Sequence, residues 1–151
     1  MKIIIRKARK SDASVLLELI DALAEYERLK KPTPPAHRRL IKDGFGKKKR
    51  FQTFIAFADG KAVGYAMFFE TYSSFLARPT FYLEDIFVYP EYRRYGIGKT
   101  LFDQCITEAR RRKCGRMEWI VLDWNKNAMK FYEKFNARKM KEWVLFRKTI
   151  S

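Results

Sequence analysis

Metal ligands and thiols are scarce in this chain of 151 residues, which has one histidine and two cysteines. Cys105 and Cys114 lie nine positions apart, with no C-x-x-C spacing and no histidine nearby. That argues against zinc and predicts two reduced thiols packed in or near a helix. The lone His37 sits in a basic, proline-flanked stretch with no neighbouring catalytic partner, so a surface or capping role is expected. No apolar run approaches the ~18 residues of a membrane span. The N-terminal "MKIIIRKARK" has only three consecutive apolar residues before charge resumes, too short for a signal-peptide core. A cytoplasmic location is the expectation.

Acids are also in short supply, with 17 Asp and Glu against 33 Lys and Arg, a formal charge of +16. Such an excess attracts anions over distance, and either nucleic acid or a polyphosphate cofactor would answer it. The basic residues are spread along the whole chain, including "KKKR" at 47–50 and "RRRK" at 110–113, so no single stripe marks a nucleic-acid face. What is plentiful is apolar: 47% hydrophobic and 16% aromatic residues, without repeats or low-complexity tracts. This predicts one globular domain over residues 1–151.

The order of elements follows from periodicity. Residues 2–7 read as a strand, and Ser11 offers an N-cap to a helix bearing Leu16, Leu19, Ile20 and Leu23 at helical spacing. "KKPTPP" at 30–35 is a loop, and a short helix follows over 36–45. "FQTFIAFA" and "KAVGYAMFFE" are strand-like and joined by Asp59-Gly60, a strong hairpin signal. "TFYLEDIFV", 80–88, completes an antiparallel meander. A helix over 96–113 carries Ile97, Leu101, Cys105 and Ile106, with Gly115 as its expected stop. "MEWIVL", 117–122, reads as a buried strand, and Asn125 as the cap of a helix presenting Ala128, Phe131, Tyr132 and Phe135. "RKMKEWVLFRKTI" reads as a last strand. A strand-helix-strand crossover beside hairpin-linked strands gives an α/β chain with a mixed sheet and helices on both faces.

The stretch "YRRYGIGKT", 92–100, resembles two phosphate-binding motifs and matches neither. A P-loop would need glycine at Arg93, and a dinucleotide fingerprint would need it at Leu101. What remains is Gly96 and Gly98 opening a helix, beside Arg93, Arg94 and Lys99. A helix start exposes unpaired N–H groups and a partial positive charge, so this loop is a candidate anion site. The same residues also describe an ordinary strand-to-helix turn with basic decoration.

"VYPEYRRYGIGKTL" carries the R-x-x-G-x-G pattern of Arg93, Gly96 and Gly98, and with it the chain resembles the Gcn5-related N-acetyltransferase (GNAT) superfamily. "WN" at 124–125 and "FYEKFNA" at 131–137 are similar to that family's later motif. "LAEYE" (23–27), "DGFG" (43–46), "YLEDIFV" (82–88) and "EW" (142–143) resemble the diamine, or spermidine/spermine, acetyltransferases and their thialysine-acetylating relatives. The resemblance covers nearly the whole chain and implies a central twisted sheet of six to seven strands, mixed and mostly antiparallel. It implies acetyl-CoA as cosubstrate and no metal, a homodimer, and transfer of the acetyl group to a primary amine of a diamine, polyamine or lysine-like molecule.

By the same resemblance, Ile86, Phe87 and Val88 would pair with the pantetheine arm, and Arg93, Arg94, Tyr95, Gly96, Ile97, Gly98 and Lys99 would hold the pyrophosphate. Asn125 and Ala128 would flank the cofactor, and Tyr26, Glu27, Glu84 and Glu142 would line the acceptor groove. The chain departs from the family pattern at Asn136, where glycine is usual, and at Lys30, Lys31 and Ser73, where the subfamily has acids. The last three weaken the case for a polycationic substrate.

The chemistry assigns roles. An alkylamine with pKa near 10.4 must lose a proton at a cost of about 4–5 kcal/mol at pH 7. Glu84 is the resemblance-based acceptor of that proton, through water, and its place in an apolar strand is itself notable; alternation also allows Glu84 or Asp85 to face solvent or a structural arginine. Tyr132 is the candidate acid for the departing thiolate, although its spacing also fits a core residue. Two rival readings stay open: a protein N-terminal or lysine acetyltransferase, and a basic nucleic-acid-binding protein.

Overall fold

A computed structural model describes residues 1–151, which divide into two compact units, Met1–Ile120 and Val121–Ser151. The first is built on a five-stranded sheet in the order β1 (Ile3–Lys7), β2 (Gln52–Ala58), β3 (Lys61–Ser73), β4 (Arg78–Val88), β5 (Arg116–Glu118). β1 to β4 pair antiparallel, and β5 lies parallel to β4. Asp59 and Gly60 form the β2–β3 turn with φ of 48° and 84°, the two left-handed residues that a tight hairpin requires.

Helices cover both faces. α1 (Ala13–Tyr26) buries Leu16, Leu19, Ile20 and Leu23 against Ile55, Tyr65, Met67 and Phe87. α3 (Ile97–Arg111) buries Ile97, Leu101, Phe102, Cys105 and Ala109. Its C-terminal Arg112 lies over Phe68, one ring of the stacked series Phe54, Phe68 and Phe81 on the opposite side of the sheet from Tyr65. Arg112 also bonds Glu108 and Glu70, and Arg111 joins it in holding the Glu108 carboxyl down at about 2. The "RRRK" cluster is thus partly a clamp between helix and sheet. α2 (Pro34–Phe45) starts on Thr33, whose hydroxyl accepts from the Ala36 N–H.

Several expectations change. Ser11 does not cap α1; a 3-10 turn over Lys10–Asp12 leads into it, and the Asp12 carboxylate takes bonds from Arg6 and the Arg9 N–H. The left-handed stop after α3 is Lys113, with φ of 59°, whereas Gly115 donates its N–H to Pro79 O as β5 begins. β5 is three residues long, not a buried strand to Leu122, because its ladder to β4 ends at the pair Tyr82 and Glu118. The sheet therefore has five strands, not six or seven. His37 has a partner that sequence proximity hides: its Nε2 lies 3.0 Å from Asp21 Oδ1, which ties α2 to α1.

The second unit holds α4 (Lys126–Glu133), capped by Asn125, whose Oδ1 accepts from the Ala128 N–H as expected. Asn136 adopts φ of 61°, so asparagine does keep the left-handed turn where the family has glycine. The terminal run forms no strand: Trp143, Val144, Leu145, Phe146 and Ile150 are exposed and find no ladder partner within the chain. No helix is long and apolar enough to cross a membrane.

Candidate active site

The centre of the site is a fault in the β3–β4 ladder. Met67 pairs with Asp85 and Phe68 with Leu83, so Glu84 is the extra residue of a β-bulge. A regular strand would turn Glu84 and Asp85 to opposite faces. The bulge brings both to the face shared by Tyr65, Met67 and Phe69: the Tyr65 hydroxyl donates to Asp85 Oδ2 at 2.9 Å, and Glu84 lines a cavity with Met67 and Phe69. Of the alternatives for the two acids, the solvent-facing one holds for Glu84, which stays exposed as it lines the cavity, whereas Asp85 is half-buried on the Tyr65 hydroxyl.

A third carboxylate joins them from the end of α1. Burial, followed by the nearby negative charge of Glu84, raises the pKa of Glu27. Asp85 is pushed up to about 6, chiefly by burial, with Glu84 and Glu27 adding to the rise and the Tyr65 hydrogen bond opposing it. Three acids in one another's field, on a partly desolvated surface, form a place that gains from receiving a cation.

The cavity beside Glu84 has a volume of about 290 Å³ and is lined by Asp43, Arg50, Phe51, Met67, Phe69 and Glu84. Asp43 enters it from the last turn of α2 and Arg50 and Phe51 from the loop that follows, and none of the three was among the sequence candidates. The "DGFG" run was noted for its resemblance alone, and its chemistry needed the fold to be seen. Tyr65 was missed for a similar reason: only the register of β3 on β4 brings it to Asp85.

Beyond the bulge, β4 has a free side. β5 pairs only with Thr80, Phe81 and Tyr82, so no strand flanks Leu83–Val88 on the side away from β3. The backbone groups of Ile86 and the Val88 N–H thus lie along an open edge that an extended ligand can join as a strand, while those of Phe87 face β3 and Val88 O is taken by Arg93. Gly64 permits the close β3–β4 approach here, since a Cβ on it would lie 2.7 Å from Phe87 O.

At the end of β4 the chain turns through Arg94, with φ of 70°, and Gly96, with φ of 77°, into α3. The first helical bond is Thr100 N–H to Gly96 O, and no side chain caps the helix. The N–H groups of Ile97, Gly98 and Lys99 accordingly have no intrahelical acceptor. Gly96 is exposed with open space around it, so the loop fits a pyrophosphate by its donors and its bareness. Tyr95 and Arg94 are exposed beside it, and Lys99 pairs with Asp103 at 2.7 Å.

Arg93 does something other than decorate this loop. Its Nε–H donates to Val88 O at 2.9 Å, and its guanidinium lies 4.5 Å over the Tyr26 ring and 5.5 Å from that of Phe87. It braces α1 against the end of β4, and with it holds Tyr26 beside the acids. Ser73, the position of a lost acid, is buried and accepts the Leu76 N–H in the β3–β4 connection. Lys31 reaches Glu25 at 4.0 Å on the exposed end of α1.

In the second unit, Asn125 and Ala128 occupy the first turn of α4, their mutual hydrogen bond using the Asn125 Oδ1 and the Ala128 N–H. Tyr132 stands on the same helix, half-buried, its ring edge-on to Phe131 at 5.4 Å. Glu142 is exposed in a turn closed by Trp143 N–H to Met140 O.

A bulged strand with an open edge, followed by a glycine turn into an uncapped helix, can receive an extended ligand that ends in an anion. Residues 16–137 match the model of the acetyltransferase (GNAT) family. The chain is similar to the thialysine N-epsilon-acetyltransferase of Bos taurus, 36% identical over 96% of this chain and 91% of that protein. A further match is the L-ornithine N5-acetyltransferase of Arabidopsis thaliana, 48% identical over 60% of this chain but only 40% of that protein's length. Among solved structures, an aminoglycoside N-acetyltransferase in complex with CoA superposes with a TM-score of 0.80, at 22% identity, over 99% of this chain and 96% of that one. The chain belongs to the acetyltransferase (GNAT) family and is an N-acetyltransferase.

Proposed function

We propose that residues 1–151 form a single catalytic domain that moves the acetyl group of acetyl-CoA directly to the terminal primary amine of a small diamine, polyamine or lysine-like molecule. The observation that carries this reading is the bulge at Glu84, which gathers Glu84 and Asp85 on one face, in the field of Glu27, beside a cavity. The relatives named for thialysine and ornithine point to the same kind of acceptor.

In the reaction, the ammonium is drawn by Glu27, Glu84 and Asp85 and gives up a proton through water to Glu84. The freed nitrogen forms a bond to the acetyl carbonyl carbon as the carbon–sulfur bond breaks. A backbone N–H on the open edge at Ile86–Val88 would stabilise the charge on the carbonyl oxygen, a contribution of ~3 kcal/mol for one such donor. Tyr132 supplies the proton that the thiolate takes, and the proton that the acetylated nitrogen sheds as the amide forms returns to the phenolate through water. The uncapped N–H groups after Gly96, with Arg94 and Lys99, would hold the pyrophosphate, while Arg93 acts at one remove by fixing Val88 and Tyr26. Asn125 and Ala128 belong to the cofactor side and Glu142 to the acceptor side on resemblance alone. The exposed Trp143, Val144, Leu145 and Phe146 favour a second copy of the chain as partner, hence a homodimer.

The test is release of free thiol from acetyl-CoA by the wild type and by Glu84→Gln, with diamines, polyamines, diamino acids and lysine peptides as acceptors. Glu84→Gln should lower kcat/KM by about 10²- to 10⁴-fold, with a smaller loss at high pH where the amine deprotonates unaided. Equal activity of variant and wild type across pH would remove Glu84 from the mechanism. Stimulation by peptides alone would favour the protein-acetylating reading.

A further inference from the structure

The cavity at Glu84 also carries a pair of opposite charges. Asp43 and Arg50 both line it, with Arg50 Nε 3.7 Å from Asp43 Oδ1. Their adjacency is built into the backbone. The Arg50 N–H donates to Asp43 O at 2.8 Å and Gly46 N–H to Lys42 O at 2.9 Å, which closes the loop after α2 on itself. Phe51 then packs over Gly44, so closely that a Cβ there would lie 2.6 Å from the ring. Glycine at 44 and the ring at 51 therefore hold the loop against the site. Both charged side chains retain exposure, 41% for Asp43 and 70% for Arg50, so a ligand can reach them.

Three kinds of amine are distinguished by such a rim. A diamine or polyamine brings only positive charge, which Asp43 can take but Arg50 opposes. A lysine within a peptide has no free α-amino or α-carboxylate group to offer. A free diamino acid brings one of each on a single carbon, matching Asp43 and Arg50, while its terminal amine is left for Glu84. The guanidinium of Arg50 suits a carboxylate through paired N–H donors. The exposed Lys47, Lys48 and Lys49 before it add positive field where that carboxylate would arrive. The groove that Asp43 and Arg50 line is open to solvent, with a volume of about 290 Å³, room for a molecule of amino-acid size. The acids that would favour a polycation are also missing at Lys30 and Lys31.

We propose that Asp43 and Arg50 form a clamp for the α-ammonium and α-carboxylate of the acceptor, making the enzyme selective for free diamino acids over diamines of the same chain length. The proposal rests on the acetyl-transfer reading above and adds the residues that choose the acceptor. Its test compares kcat/KM for L-ornithine with that for putrescine, the same chain without the carboxylate, in the wild type, Arg50→Gln and Asp43→Asn. The wild type should prefer the diamino acid, and Arg50→Gln should cut that preference about 10- to 100-fold, the loss expected for a charged hydrogen-bonded pair. A preference unchanged in both variants, or an equal fall for both acceptors, overturns the clamp. A second measurement separates the clamp from the chemistry: binding of L-norleucine, which has the amino-acid end but no terminal amine, followed by calorimetry. Norleucine binding lost in Arg50→Gln supports the clamp even if no amine is acetylated, an outcome that would sink the catalytic reading alone. Norleucine bound equally by the wild type and Arg50→Gln, or by neither, overturns it.

Discussion

Replacing Asp85 by asparagine should make the protein more stable above pH 6 and no more stable at pH 4. The part-buried carboxyl of Asp85 has a pKa raised from 3.8 to about 6, because burial and the charges of Glu84 and Glu27 disfavour ionisation. A carboxyl with a raised native pKa holds its proton more tightly when folded than when unfolded. Its contribution is therefore fully present below pH 3.8 and is lost as pH rises through 6. The rise corresponds to about 3 kcal/mol. Asparagine keeps an oxygen to accept the Tyr65 O–H and is neutral at every pH, so it avoids that loss. The advantage of Asp85→Asn should open from near zero at pH 4 to about 3 kcal/mol at pH 7.5, or about 6 to 12 °C in Tm for a chain of this size. Urea unfolding followed by tryptophan fluorescence at four or five pH values between 4 and 8 measures it. A stability difference that does not vary with pH, or a variant less stable at pH 7.5, would refute the argument, since both outcomes mean that ionised Asp85 is not a burden on the native state. Acetyl transfer should meanwhile fall, because the variant removes one of three charges that draw the ammonium.

Two further outcomes test other parts of the site. Tyr132→Phe should lower kcat by about 10²- to 10⁴-fold while leaving acetyl-CoA affinity in place, as measured by thiol release and by calorimetry. Gly64→Ala should destabilise by about 1–3 kcal/mol and weaken acetyl-CoA binding together, because the added methyl is forced against Phe87 O between β3 and β4 and displaces the strand whose other side is the open edge; stability lost without any change in affinity would separate the edge from the ligand.

What could be read in advance was local. The Asp59-Gly60 turn, the cap at Asn125 and the buried stripe of α1 each depend on residues a few positions apart, so their chemistry fixes them within a short window. What escaped depends on register or on distant partners. Nothing within "YLEDIFV" says that Glu84 is skipped in pairing, since that follows from how β3 slides on β4. The alternation in "MEWIVL" is strand-like, yet pairing ends at Glu118, opposite Tyr82 and just short of the bulge at Glu84, and leaves Leu83–Val88 of β4 unpaired on that side. Arg93 carried the family's motif, yet its side chain is held by Val88 and Tyr26, groups brought near by the sheet and α1. His37 found Asp21 only through the packing of two helices.

The charge of +16 and the acidic site then serve different ends. The cationic surface favours the polyphosphate of acetyl-CoA from a distance and disfavours a polyamine, whose several charges all feel it. At ordinary ionic strength this field fades within about 8 Å, so the last step of recognition belongs to local groups. There the sign reverses: Glu27, Glu84 and Asp85 gain from receiving one ammonium. A zwitterionic acceptor suits both regimes, because its net charge is small during approach and its terminal amine is cationic where the acids lie. With Arg50 lining the same cavity, that molecule meets a cation with its carboxylate, which a diamine cannot do. The surface charge and the Asp43–Arg50 rim thus favour the same acceptor for independent reasons, one acting on net charge and the other on the arrangement of charge within the molecule.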